Sequence, residues 1–343
     1  MQKTILIITD NLPEQINGVV TTYKNIEALA VLDGYRVVYL TPLEFLHVSS
    51  PGYREIKISI PWKIGKKIRA VAPDYIHIAT EGPLGLYARF YLDQRNRRYN
   101  TAYHTKFPEG LKKIAGIPES WTWRYVRWFH KHSGKVLTTT DSMVTELREH
   151  DFDGDIISWT RGVDRTVFNP EHRGNTVVNG PILLYVGRVS REKNLDDFCD
   201  LQFTNANKII VGDGPYRAEL EQRYPDINFV GYKTGADLAR YYAMADVFVF
   251  PSKWETFGLV MIEAMACGTP VAAYPVQGPV DVIDEGITGC MNDDLKQAVT
   301  DCLFLPRHKV WSGSHRWSWE NAWHIFRDNL TPNGKWTDED GYV

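Results

Sequence analysis

The chain has 343 residues, more than one hydrophobic core usually serves, so two domains are the starting expectation. Its 43% hydrophobic and 24% charged residues exclude a disordered or collagen-like chain, and no apolar run reaches the about 18 residues of a membrane span. The net charge of −3 is uneven: residues 1–170 carry 23 Lys+Arg against 18 Asp+Glu, the rest 16 against 24. The first half therefore suits an anionic partner, unless the asymmetry only decorates solvated faces.

The opening MQKTILIITD reads as a first strand (4–9) and not as a secretory leader. A loop with Gly18 leads into a helix over about Val19–Leu32, then RVVYLT (36–41) is a second strand. YIHIAT (75–80), NTAYHT (100–105), KVLTTT (135–140) and IISWT (156–160) continue the series, and DSMVTELREH reads as a helix capped by Asp-Ser. The polar stretch 168–181, with Pro and Gly, reads as a linker. Beyond it ILLYVG (182–187), KIIVG (208–212), INFVG (227–231), DVFVFPS (246–252) and PVAAYP (270–275) are apolar strand runs separated by helical segments. Strand and helix alternating twice predict two Rossmann-like parallel sheets, with ligands beyond the carboxyl ends of the strands. Cys199, Cys267, Cys290 and Cys302 lack a C-x-x-C spacing and read as reduced thiols of a cytoplasmic protein, with peripheral contact to the inner face of a membrane as a further expectation.

The loops carry the chemistry. After YVG come Arg188, Arg191 and Lys193, cations that suit a diphosphate or simply a solvated surface. INGVV could offer backbone N–H groups at a helix start. VGDGPYRAEL lacks the third glycine of a dinucleotide fingerprint, no P-loop pattern occurs, and DFDGD (151–155) lacks the further ligands of a calcium loop. In PSKWETFGLVMIEAMACGTPV, Glu255 should lie in a loop and Glu263 about two turns into a helix starting near Phe257 or Gly258. Two such carboxylates either form salt bridges or accept hydrogen bonds from the vicinal hydroxyls of a sugar or ribose.

The run from Glu255 to Val271 closely resembles the E-x7-E signature of the retaining nucleotide-sugar glycosyltransferases of family 4, and VGRVSREKN and VGDGP resemble two further motifs in the same order. HIATEGPLGLYARF, AYHTKFPEG, WRYVRWFHK and RGVDRTVFNP look like the branch with GDP-mannose-dependent mannosyltransferases and sulfoquinovosyl-diacylglycerol synthases. The resemblance implies an α/β GT-B fold, two Rossmann-like domains facing each other across a cleft. They would be an acceptor domain over 1–170, with a closing helix at about 318–343 packing back on it, and a donor domain over 171–317. It further implies that Arg188 and Lys193 bind the donor diphosphate, Glu263 the ribose hydroxyls, and Glu255 with the N–H groups of Phe257, Gly258 and Leu259 the donor sugar. Gly18 would lie against the diphosphate, His104 near the reaction centre and Asp213 near the nucleotide. Glu81, Tyr103 and Lys106 would stand on the acceptor side.

The expected activity is retaining transfer of a hexose-like sugar from a GDP- or UDP-sugar to a hydroxyl of a glycolipid or glycan, with no essential metal or other cofactor. The basic, Trp-rich segments WKIGKKIR (62–69) and WTWRYVRWFHKHSGK (121–135) read as a membrane-surface face, a nucleic-acid groove or a packed helix with a basic outer side. A base in nucleic acid is therefore an alternative acceptor, and a non-catalytic nucleotide-sugar binder the reading from another class.

Overall fold

The computed structural model describes residues 2–15, 17–50, 53–104, 108, 112, 116–174 and 179–336, with backbone alone at 50 and 53–56. The chain divides into two compact units, Met1–Thr160 with Trp319–Val343, and Arg161–Ser318. The first unit holds β1 (Thr4–Ile8), β2 (Arg36–Leu40), β3 (Leu46–Ser50), β4 (Tyr53–Ile60), β5 (Tyr75–Ile78), β6 (Asn100–Tyr103), β7 (Val136–Thr138) and β8 (Ile156–Ser158). Its parallel sheet runs β2-β1-β5-β6-β7-β8, with β3 and β4 as a separate antiparallel pair. The second unit holds β9 (Ile182–Val186), β10 (Asn207–Val211), β11 (Asn228–Gly231), β12 (Val247–Phe250), β13 (Val271–Ala273) and β14 (Gly289–Met291), all parallel in the order β11-β10-β9-β12-β13-β14. Strand order reverses between β1 and β5 and between β9 and β12, and at such switch points the loops leave room for a ligand.

Continuous apolar runs make these strands because both sheet faces are covered. Ile182, Leu184 and Val186 of β9 enter one core, whereas Leu183 and Tyr185 enter the other. In the first unit, helix Gly18–Leu32 starts where the Asn17 side chain accepts the Val20 N–H at 2.9 Å. The last described helix, Trp319–Asp328, packs on it. Trp323 and Arg327 donate to the Asp33 carboxylate at 3.1 and 2.9 Å, and the indole N–H of buried Trp159 donates to the Ala322 carbonyl at 2.9 Å.

Several elements differ from expectation. The β3–β4 hairpin and β14 were not anticipated. The cap of helix Asp141–Glu149 is the Thr140 hydroxyl, which accepts the Met143 N–H, in place of Asp-Ser. The helix at the E-x7-E run begins at Leu259, with Gly258 as its cap. The first boundary falls earlier than residue 170, because Val163 belongs to a core of the second unit, with Val167 and Phe168 packed against it.

The carboxyl ends of β9, β10 and β11 are joined backbone to backbone. The Gly187 N–H donates to the Val211 carbonyl at 3.0 Å, Gly212 to Gly231 at 2.9 Å, and Val189 to Asp213 at 2.9 Å. At Gly212, with φ of 136°, a Cβ would stand 1.9 Å from the Gly187 carbonyl oxygen. Gly212→Ala should therefore cost about 3 kcal/mol and lower the urea midpoint clearly. Gly286→Ala, also at positive φ but with nothing within 4 Å, should cost about 1 kcal/mol. Equal midpoints for the two variants would refute the steric argument.

Candidate active site

In the second unit the loop after β9 is shaped by local bonds. The buried Tyr185 hydroxyl donates to the Arg188 carbonyl at 2.9 Å, and a short 3-10 turn, Arg191–Lys193, closes on Asn194 with φ of 52°. Asn tolerates that left-handed conformation, which is why the turn can stop there. Arg188 is exposed. Arg191 points elsewhere, paired with Glu219 and lying over the Tyr216 ring at 4.2 Å. The Lys193 ammonium meets the Glu255 carboxylate at 3.0 Å, each side chain about 24% exposed.

Glu255 stands in the loop after β12, the strand on the other side of the switch point, and its second oxygen accepts the Thr256 N–H at 3.1 Å. Gly258 takes φ of 84°, a conformation costly for other residues, and the helix Leu259–Ala266 follows. Among the described hydrogen bonds, none is donated by the N–H of Phe257, Gly258 or Leu259. These groups sit at the positive end of the helix. The Phe257 ring is buried edge-on to Trp317, so only its backbone is on offer. Glu263 accepts the Tyr242 hydroxyl at 2.9 Å, and burial pushes its pKa up to about 7, a rise that this hydrogen bond opposes. Asp213 is turned to its own helix, paired with Arg217 at 3.2 Å and accepting the Gly214 N–H at 2.7 Å.

In the first unit His104 follows β6 and is buried. Its Nε2 lies 2.9 Å from the Tyr23 hydroxyl, which is also 2.7 Å from Nε2 of His77. Gly18 is the first residue of its helix. Glu81, after β5, is buried with its carboxylate 3.4 Å from His130, so it faces the unit's interior. Tyr103 does not belong with the acceptor candidates. Strand alternation turns it away from His104 into a core with Trp123 and Val126, fully buried. Lys106 lies outside the described residues.

Sequence reasoning missed Tyr23, His77 and Asp10. The Asp10 carboxylate accepts the Thr80 hydroxyl at 2.8 Å and the Leu84 N–H at 2.9 Å, and burial raises its pKa. A polar residue inside or just after a buried strand run was the available signal for His77 and Asp10. A cavity of about 440 Å³ lined by Arg95, Arg97, Arg98 and Asn333 lies at the amino end of β6, away from these loops.

Two doubly wound parallel units with charged loops at their switch points are the GT-B architecture of glycosyltransferases. The chain belongs to glycosyltransferase family 4. Residues 17–167 match the family described as Glycosyltransferase Family 4, and residues 180–304 match Glycosyl transferases group 1. A GDP-mannose-dependent alpha-mannosyltransferase of Mycolicibacterium smegmatis is 30% identical over 322 residues, 87% of this chain and 82% of the relative. The protein of the same description from Corynebacterium glutamicum is 27% identical over 354 residues, 92% and 86%. The sucrose-phosphate synthase structure from Thermosynechococcus elongatus shares the fold with a TM-score of 0.77 at 22% identity, covering 95% of this chain and 98% of that one.

The raised pKa of Glu263 has a stability consequence. An unfolded chain releases this proton near the ordinary carboxyl value of 4.5, whereas the folded chain keeps it to about 7, so stability falls as pH rises through that window. The loss is at most about 3 kcal/mol. Glu263→Gln should abolish this component, so its stability relative to the parent should grow between pH 4.5 and 7.5 in urea titrations. A difference that stays constant with pH would show that Glu263 ionises normally.

Proposed function

We propose that this protein is a retaining hexosyltransferase that moves a sugar from a GDP- or UDP-linked donor to a hydroxyl of a glycolipid or glycan. The observation that carries this reading is the meeting of Lys193 and Glu255 at the β9/β12 switch point. It sets a cation and a hydroxyl acceptor side by side, with the helix start at Gly258 in the same loop. Arg188 and Lys193 then bind the diphosphate and stabilise the charge that develops as it leaves. Glu255 and the N–H groups of 257–259 hold the sugar, Glu263 holds the ribose, and Gly18 lets the backbone approach the diphosphate. The C1–O bond breaks with its electron pair on the diphosphate oxygen, which takes the proton lost by the acceptor hydroxyl as the new bond forms on the same face. Asp213 plays a lesser part, near the nucleotide. The relatives described as GDP-mannose-dependent make GDP-mannose the first donor to test.

One surface favours an acceptor in a lipid layer. The cross-strand pairs Leu46–Ile60 and Val48–Ile58 of the hairpin turn outward, with exposures of 80, 58, 60 and 39%, and Trp62 at 75% continues them. The exposed Lys63 and Lys66 follow in sequence, adding positive charge suited to anionic headgroups.

Thermal shift and nucleotide release across GDP-, UDP- and ADP-sugars identify the donor. Arg188→Ala combined with Lys193→Ala should lower transfer by at least about 1,000-fold with the circular dichroism spectrum unchanged. Full turnover would refute the assignment, and donor binding without any transfer by the parent protein would indicate a non-catalytic binder. Vesicles with anionic lipid should sediment the protein, and Leu46→Ser with Ile60→Ser and Trp62→Ser should weaken this at least about tenfold without changing donor affinity. Co-sedimentation with DNA and not with vesicles would favour a nucleic-acid acceptor instead.

A further inference from the structure

We propose that the cavity between the turn after helix Pro83–Asp93 and the returning segment at 332–334 is a further ligand site of the first unit, and that it takes a phosphorylated sugar or polyol. It lies at the amino end of β6, whereas the loops that would hold the donor follow strands of the second unit, so this site stands or falls apart from the donor assignment.

Two segments far apart in sequence build its walls, and each is held by its own bonds. In the turn, the Asn96 N–H donates to the Asp93 carbonyl and the Arg97 N–H to the Leu92 carbonyl, at 3.1 and 3.0 Å, with Asn96 left-handed at φ of 50°. In the returning segment, the Thr331 N–H donates to the Asn100 side chain at 2.9 Å and the Asn333 N–H to the Asp74 carbonyl at 2.8 Å. The Trp336 indole donates to the Pro73 carbonyl at 2.9 Å. Arg97 fastens one wall to the other, donating to the Lys335 carbonyl at 3.1 Å with its guanidinium 4.3 Å from the centre of the Trp336 ring. The cavity left between them, about 440 Å³, has the size of small-molecule pockets, roughly 300–1,000 Å³.

Arg95, Arg97 and Arg98 line the cavity, and no acidic residue does. Arg97 is committed to the walls. Arg95 lies over the Tyr91 ring at 4.3 Å and Arg98 is exposed, and among the described residues neither has a carboxylate partner. Guanidinium forks bind phosphate oxygens in pairs, so an anion fits here. Asn333 makes a further demand. It lines the cavity yet is only 3% exposed, and neither the oxygen nor the nitrogen of its side-chain amide has a hydrogen-bond partner. A buried amide in that state costs free energy that a partner recovers. Its nitrogen needs an acceptor and its oxygen a donor; ionised phosphate oxygens only accept, whereas a hydroxyl does both. The two demands together describe a phosphate carried on a hydroxylated molecule.

Such a ligand ties the turn to the segment that follows helix Trp319–Asp328, so its binding stabilises the first unit by linkage. The sequence places Asp338, Glu339 and Asp340 shortly after Trp336, charges that act against an anionic ligand, and the test therefore includes a chain in which they are neutral.

Calorimetry on the full chain, with glucose 6-phosphate, inorganic phosphate and glucose as probes, tests this in the parent and in a chain with Asp338→Asn, Glu339→Gln and Asp340→Asn. Glucose 6-phosphate should bind at least about tenfold more tightly than inorganic phosphate or glucose. Arg95→Gln with Arg98→Gln should weaken it at least about tenfold, whereas Arg188→Ala with Lys193→Ala should leave it unchanged. Asn333→Leu removes both unpartnered atoms at similar volume. It should erase most of the preference over inorganic phosphate without lowering the urea midpoint of the unliganded chain. Phosphatidylglycerol vesicles present the same chemistry on a lipid headgroup. Sedimentation with them that needs Arg95 and Arg98, in a chain already carrying Leu46→Ser, Ile60→Ser and Trp62→Ser, and without binding of glucose 6-phosphate, would assign the site to a headgroup. Binding of neither the soluble probe nor the vesicles by the parent and the neutralised chain would overturn the proposal. So would binding untouched by the loss of Arg95 and Arg98, or binding that disappears with Arg188 and Lys193. Should Asn333→Leu not fold, the arginine variants alone decide.

Discussion

The donor-side loops depend on how closely the backbones of β9, β10 and β11 approach at their carboxyl ends. Gly212 lies so near the Gly187 carbonyl that no side chain fits between them, and the Val189 N–H is held by the Asp213 carbonyl. This contact fixes where the loop leaves β9 and so where its short turn presents Lys193. A flexible loop would have to order itself on each binding event, at a cost in conformational entropy. Here much of that ordering is built into the main chain.

Charge is managed differently at the two glutamates. Glu255 is matched by Lys193 in a pair that keeps about a quarter of each side chain exposed, so a ligand can reach and reorganise it. Glu263 has the Tyr242 hydroxyl as its partner in a partly buried setting, and its proton is held up to about pH 7. A ligand whose hydroxyls donate to this carboxylate favours the charged form and must displace that proton.

Much of the architecture was legible because strands covered on both faces read as unbroken apolar runs, as ILLYV and VFVF do. The β3–β4 hairpin was not, although its residues alternate as strand residues do, because an antiparallel pair stands outside the repeating strand–helix series that announces a parallel sheet. β14 escaped notice because GCM is too short and too mixed to stand out. The Lys193–Glu255 contact spans 62 positions and became visible only through motifs met in series. The Tyr23 links to His77 and His104 span 54 and 81 positions, and no local pattern announces them. Tyr103 misled because a neighbour of a site residue on a strand points the opposite way.

The second unit is an insertion within the first, for the chain returns at Trp319 to complete the fold it began at its start. Until Ala322 and Phe326 emerge from the ribosome, Trp159 and His77 lack the helix that covers them. Synthesis at about 5–20 residues per second leaves that apolar surface bare for roughly ten seconds or more, while the whole inserted unit is made. The amino-terminal half therefore cannot finish its core before the inserted unit has been made, and its last step of folding waits on helix Trp319–Asp328.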